Sequence, residues 1–306
     1  MVLVFPQTLR TSAGNLYRMT EIATRSEGLA ANEEIVLDFS AVRDLDENLC
    51  AALGVFVNRW KSEKHRVSVK LEALTVLSTF KRNHFLNEVH LPYSWYNYLP
   101  GLAPERNIQE ENADDQVYPL PYRRFQRTDT EAQAEYVKGL LNKEWWPRMT
   151  AAVKDALTSC ILEVFNNAEE HSESDHGVFV CGHVGKSGQR QLRISIADAG
   201  IGFRAKIEKA IGKKMSSSKA IEWGMTEGNT VRRGGNPGGL GLKLLKEFIS
   251  KNDGRLSVLS DKGFWELSSG KEKTTEFDCS FPGTVVTIVV NTDDPKSYRM
   301  ASEAEM

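Results

Sequence analysis

The sequence predicts an α/β protein in two parts, and three observations carry that prediction. In the first part, two strand-like runs, Ile35-Val36-Leu37-Asp38-Phe39 and Val67-Ser68-Val69-Lys70-Leu71, flank a helix-like segment. There Leu49, Leu53, Phe56, Val57 and Trp60 recur at helical spacing. In the second part, a long amphipathic helix precedes the alternating strand Leu192-Arg193-Ile194-Ser195-Ile196-Ala197. Last, a glycine-rich run over residues 234–239 opens a segment with Leu240, Leu244, Leu245, Phe248 and Ile249 at helical spacing. A chain of 306 residues suits about two domains.

Taken in order, residues 1–91 alternate strand and helix signals, ending in a short helix expected over 73–83. Residues 92–124 hold scattered prolines, tyrosines and acids without a period, and are expected to link or cross between the parts. A helix is expected over 130–143, and Pro147 suits the first turn of the next. That next helix carries an apolar stripe of Val153, Ala156, Leu157, Cys160, Ile161, Val164, Phe165 and Ala168. The second domain is expected over 125–292, followed by a polar tail over 293–306.

Charge and cysteine content exclude several classes. The net charge of -2 offers no bulk attraction to nucleic acid or an anionic membrane. No apolar run is long enough to span a bilayer. The apolar start is stopped by Pro6 and lacks a basic residue before it, so no signal peptide is expected. Cys50, Cys160, Cys181 and Cys279 are widely spaced and form no metal-ligand pattern. A cytoplasmic, reduced protein is expected.

Three motifs carry chemistry. On the long helix, Glu163 and Asn167 lie four residues apart, so they project from adjacent turns toward one point, with His171 one turn further. A carboxylate and an amide oxygen there suit magnesium, which takes few protein ligands and the rest from phosphates and water. Glu163 could also orient or deprotonate an attacking group; the bland reading is a solvated polar face. The second motif, Asp198-Ala-Gly200-Ile-Gly202, follows the alternating strand. A carboxylate at a strand end can accept from an exocyclic amine, and the glycines allow close backbone approach or positive φ; the bland reading is a strand-to-loop turn. The third motif, Gly238-Gly239-Leu240-Gly241-Leu242, begins a helix whose unpaired N–H groups and dipole would attract phosphate. It lacks the Gly-Lys-Ser/Thr ending of a P-loop and does not follow a strand in a dinucleotide-binding unit. Its bland reading is a flexible loop before an amphipathic helix.

In this order the motifs resemble the GHKL nucleotide-binding domain shared by DNA gyrase, the ninety-kilodalton heat-shock chaperone, histidine kinases and mismatch-repair ATPases. Residues 163–171 look like its N box, Asp198 to Gly202 like its first glycine box, and Gly239 to Leu242 like its second. Pro282-Gly283-Thr284, before an apolar strand, resembles its closing Gly-Thr strand. The resemblance implies an α/β sandwich: a mixed, mainly antiparallel sheet with helices on one face. It implies ATP and Mg2+ as cofactors. Asn167 would bind the metal, Asp198 the adenine amine, and Gly200 and Gly202 the base. The backbone of Gly238, Gly239, Leu240, Gly241 and Leu242 would hold phosphates, Thr284 would assist the adenine contact through a water, and Glu163 would be the general base. Residues 203–238 would form the ATP lid, in which Arg232 and Arg233 are the favoured phosphate partners. Two departures stand out: Pro237 replaces a frequent glycine, and Glu169 and Glu170 stand where many histidine kinases carry lysine.

The first part resembles a STAS domain, the fold of anti-sigma-factor antagonists, through residues 35–42, Leu45-Asp46-Glu47-Asn48-Leu49 and 67–71. Where those antagonists carry a phosphorylatable serine, this chain has Glu47 and Asn48. The domain is therefore expected to dock or self-associate rather than act as a phosphorylation switch there. Three uses of ATP remain open: serine-kinase action of the anti-sigma type, slow hydrolysis by a conformational ATPase that dimerises, or non-catalytic sensing of ATP or ADP. A protein partner or a homodimer is expected, without nucleic acid or membrane.

Overall fold

A computed structural model describes residues 1–95, 118–126, 128–172, 176–185, 190–226, 228–229 and 240–303. The N-terminal unit runs β1 (Val2–Val4), β2 (Thr8–Leu9), α1 (Ala13–Thr24), β3 (Glu34–Asp38) and β4 (Asp44–Leu45). A one-turn 3-10 helix over Glu47–Leu49 then leads into α2 (Cys50–Ser62), β5 (Arg66–Leu71), α3 (Leu74–Arg82), α4 (Phe85–Glu88) and β6 (Tyr93–Trp95). Its main sheet is parallel throughout, ordered β1-β3-β5-β6. The two strand runs read from the sequence become β3 and β5. Leu3, Ile35, Leu37, Val67, Val69 and Leu71 point from alternate positions into the core, as a period of two requires.

The second unit begins with β7 (Tyr118–Phe125), α5 (Thr130–Leu141), β8 (Arg148–Met149), α6 (Ala151–Ser172), β9 (Val178–Val184) and β10 (Gln191–Asp198). There follow α7 (Gly202–Ile211), α8 (Ser217–Met225), α9 (Leu240–Lys251), β11 (Arg255–Ser268), β12 (Lys271–Asn291) and β13 (Ser297–Tyr298). Five strands form an antiparallel sheet ordered β11-β12-β10-β9-β7. The stretch read as a crossing segment thus gives β6 to one sheet and β7 to the other. Pro147 precedes β8 rather than opening α6, because residues 148–149 pair with β13 before the helix begins.

One face of the larger sheet carries α5, α6 and α9 over a core that includes Leu157, Ile161, Phe165, Ile194, Ile196, Phe248, Ile249 and Ile288. The second unit's own helices α5, α6 and α9 lie on this one face, and the other face is not left open. The opposite face is covered by α1 and α2 of the N-terminal unit, with Phe179, Cys181, Ala197, Leu259, Phe281 and Val285 sharing one core with that unit. The reason lies in α2: Ala51, Ala52, Leu53, Val55, Phe56 and Val57 are buried all around it, so both of its sides need an apolar cover. Its own β5 supplies one, and β9, β10 and β12 supply the other. Phe56 meets Phe281 with ring centroids 5.1 Å apart, and Tyr17 of α1 meets Phe277 at 5.0 Å.

A polar seam crosses this apolar interface. Asn48 is fully buried and donates to Ser195 Oγ at 2.9 Å, and Ser195 bonds Thr287 Oγ1 at 2.8 Å. Asp46 accepts from the Thr11 backbone N–H at 2.7 Å and lies 3.7 Å from the Arg193 guanidinium. Burial lowers His183 to about 4, so its approach to Asp46 is not an ion pair. Glu47 is buried and accepts from Arg82 Nε at 2.8 Å; burial raises its carboxyl to about 7 against the opposing pull of Arg82.

Candidate functional site

Strand β10 alternates between the two cores. Ile194 and Ile196 join the helix-covered core and Ala197 joins the core shared with the N-terminal unit. Asp198, the last residue of the strand, follows Ile196 by two and therefore faces the helices. It is 5% exposed. Burial raises its carboxyl to about 7, although the backbone N–H groups of Gly200 and Thr284 act to lower it. The Gly200 N–H donates to Asp198 Oδ1 at 2.9 Å, closing the turn that leaves the strand.

Register places two more polar side chains in line with Asp198. Thr284 of β12 lies directly opposite Asp198, and Ser260 of β11 lies directly opposite Thr284. Residues paired in this way point to the same face. The outcome is a row, Asp198, Thr284, Ser260, across three adjacent strands, with every member buried. The Ser260 hydroxyl donates to Gly283 O at 3.0 Å, accepts from Phe203 N at 2.9 Å and lies 3.1 Å from Thr284 Oγ1. Sequence reasoning missed Ser260. Its signal is the alternation Leu256, Val258, Ser260, which puts a hydroxyl on the face of two core residues.

Two glycines make this row possible. Gly202 has φ +74, and a Cβ there would stand 2.7 Å from Ser260 Oγ. Gly283 has φ +137, and a Cβ there would stand 1.9 Å from the Asp198 carbonyl oxygen. Both positions therefore require glycine for backbone conformation and for space.

Helix α6 packs on β9, β10 and β12 over the same face and lies beside α7 and α9. Glu163 is half-buried and Asn167 is exposed on it. Cys160, one turn before Glu163, lies near the Leu245 backbone of α9, so this side of α6 looks toward α9. Leu242 is half-buried and packs against the helix-side core. Helix α9 begins at Leu240, with Gly241 next, and the side chain of Leu240 lies outside the described residues. His171 sits on α6, its side chain likewise outside them. Arg232, Arg233, Gly238 and Gly239 lie outside the described residues altogether.

The expected lid, residues 203–238, is not a loop through its first two thirds: residues 202–211 and 217–225 are α7 and α8. Ile207, Ala220, Ile221 and Met225 give these helices buried anchors. Glu276 of β12 accepts from the backbone N–H groups of Ser217 at 3.1 Å and Ser218 at 2.9 Å, capping α8. Asp261 accepts from Ser217 Oγ at 2.8 Å and Ser280 Oγ at 2.6 Å, and pairs with Arg204 Nε at 2.8 Å. These carboxylates were not legible as partners, because they lie more than forty residues from the helix they hold.

Among the described residues no group of three or more His, Cys, Asp or Glu side chains could hold a metal by itself. A cation beside Asn167 would take one amide oxygen from the chain and the remainder from phosphates and water, which suits magnesium.

Residues 152–293 match the family described as histidine kinase-, DNA gyrase B-, and HSP90-like ATPase. That span includes Glu163, Asn167, Asp198, Ser260 and Thr284, and over it the chain is similar to this family of ATPase domains. No curated protein matches the chain. Among the described residues no helix is long and apolar enough to cross a membrane.

Proposed function

We propose that the chain binds ATP with Mg2+ between α6, α9 and the ends of β10 and β12, and acts as a nucleotide-dependent regulator of the anti-sigma serine-kinase kind. The observation that carries the reading is Asp198: a buried carboxylate at a strand end, on the helix-covered face, with Thr284 directly opposite. A desolvated carboxylate at that point is costly unless a donor completes it, and the exocyclic amine of adenine is such a donor. Asn167 on α6 would hold the metal, supplying charge balance for the phosphates. Glu163, one turn earlier, would take the proton from an attacking hydroxyl.

The N-terminal unit, read as STAS-like, supports a regulator in which that unit is a fixed part. Glu47 and Asn48, at the place of the antagonists' serine, are 2% and 0% exposed beneath the ATPase sheet. A partner would therefore approach from the side of α6 to α9, since the other sheet face is already occupied.

The test is incubation with γ-labelled ATP and magnesium, alone and with cell extract, for wild type and Asn167→Ala. Label on a protein serine supports the kinase reading. Free phosphate without protein label favours the conformational ATPase, and binding without either favours a sensor. Wild type that binds no ATP sinks the proposal. Asn167→Ala is expected to lose at least tenfold in Mg2+-dependent ATP affinity, about the effect of losing one metal-linked contact.

A further inference from the structure

We infer that the chain pairs with a second copy of itself through the open edge of its N-terminal sheet, β1 against β1 across a two-fold axis, with the two α1 helices closing the joint. The inference is independent of the nucleotide reading of the site.

Strand β1 is the end strand of its sheet. Met1 O accepts from Val36 N at 2.9 Å and Phe5 N donates to Asp38 O at 3.0 Å, so the odd-numbered residues turn their peptide groups toward β3. Alternation then turns the N–H and C=O groups of Val2 and Val4 to the open side. Edge strands of monomers are commonly guarded by a charge, a proline or a bulge. Val2-Leu3-Val4 contains none of these. Its two valines are 57% and 53% exposed, on the face away from buried Leu3.

An edge of this kind is complementary to itself. With the axis at Leu3, Val2 of one copy stands opposite Val4 of the other, and each such pair exchanges both of its N–H···O bonds. The exposed valines then cover one another. A pair of strands three residues long falls short of the roughly 800 Å² a side of a stable interface, so α1 has to take part. Beside β1, Tyr17 and Ile22 of α1 line an open groove against Val4 and Pro6. Along the same groove stand Arg18, Glu21 and Arg25. Their spacing of three and four permits pairing within the helix, yet none of the three is in an ion pair among the described residues. Charges of both signs on one face suit a second copy better than a partner of one sign. The two-fold sets the two α1 helices side by side and antiparallel, so that Glu21 of each copy meets Arg25 of the other.

The experiment is sedimentation velocity on the full chain without nucleotide, from about 1 to about 100 μM. Wild type is expected to dimerise within that range. Val4→Pro deletes an N–H that serves only the open edge, so the fold should stand. Its dimer dissociation constant is expected to rise on the order of tenfold or more. If Val4→Pro melts below wild type, Val4→Lys is the second variant: it keeps the hydrogen bonds of the monomer and puts a charge on the edge, and the same loss is expected. Glu21→Arg sets two arginines together and is expected to weaken the dimer on the order of fivefold; adding Arg25→Glu is expected to restore it. Wild type that stays monomeric to about 100 μM overturns the inference and leaves the edge to a strand of another protein. A dimer unmoved by folded Val4→Pro and Val4→Lys overturns it, as does a charge swap that brings no rescue. Neither result bears on nucleotide binding.

Discussion

Asp198 is placed where the proposed nucleotide contact and stability pull in opposite directions. Burial raises its carboxyl from an ordinary 3.8 to about 7. Below the ordinary value the group is neutral folded or unfolded. As pH rises from there to about 7, the unfolded chain releases its proton and the native chain keeps it, so stability falls across that window. Asp198→Asn removes the charge and its desolvation. Without nucleotide it is expected to melt higher than wild type at pH 8, by up to ~4 kcal/mol of stability, and no higher at pH 4. It should also lose ATP binding; a variant no more stable at pH 8 would contradict the burial argument. Gly283 shows the reverse, a residue with no chemistry and no tolerance. With φ +137 and the Asp198 carbonyl at 1.9 Å from any Cβ, Gly283→Ala is expected to cost more than ~2 kcal/mol in urea denaturation. The sequence announced Asp198, Gly202 and Thr284 because their types and spacing are local. It left Ser260 silent, because its place depends on two cross-strand pairings and on a hydroxyl whose partners come from two separate segments, residue 203 and residues 283–284.

Secondary structure followed the periodic signals and departed from them where partners are distant. Strands β3, β5 and β10 and helices α2, α5, α6 and α9 lie within a few residues of their expected bounds, because each has its own apolar stripe or alternation. Helices α7 and α8 were hidden. Their serines, lysines and glycines read as a flexible lid, and four buried apolar residues supply too little pattern to oppose that composition. What holds α8 is the hairpin: Glu276 on its first N–H groups, and Gly263 so close to Ser217 that a Cβ would meet its carbonyl carbon at 2.5 Å. Glu276→Gln keeps an acceptor but removes the charge that favours a helix start. It is expected to lose ~1 kcal/mol, with faster amide hydrogen exchange over 217–225 than elsewhere. Unchanged exchange in α8 would mean that the cap contributes nothing.

At the scale of the whole molecule, the two units share a helix rather than meet at a surface. Helix α2 is buried on both sides, and α1 leans on β12. Removal of residues 1–95 would uncover Phe179, Cys181, Ala197, Leu259, Phe281 and Val285 together, an apolar patch of the kind that soluble monomers do not leave open. A fragment starting at residue 118 is expected to aggregate or bind hydrophobic dye, while the full chain does neither. A soluble, nucleotide-binding fragment would show the units to be separable. The sequence revealed two units and motifs for one of them. It did not reveal their union, because burial on both sides of α2 looks, in one dimension, like a strongly apolar helix of a single domain. One contact shows what this union imposes over generations. Gly54 of α2 lies under the ring of Tyr122 from β7, and a methyl group added at position 54 would stand 2.3 Å from the Tyr122 oxygen. A lineage that enlarges position 54 must shrink position 122 in step. The N-terminal unit cannot then be exchanged as a cassette between proteins; both halves are inherited as one block, and descendants should vary at these two positions together or not at all.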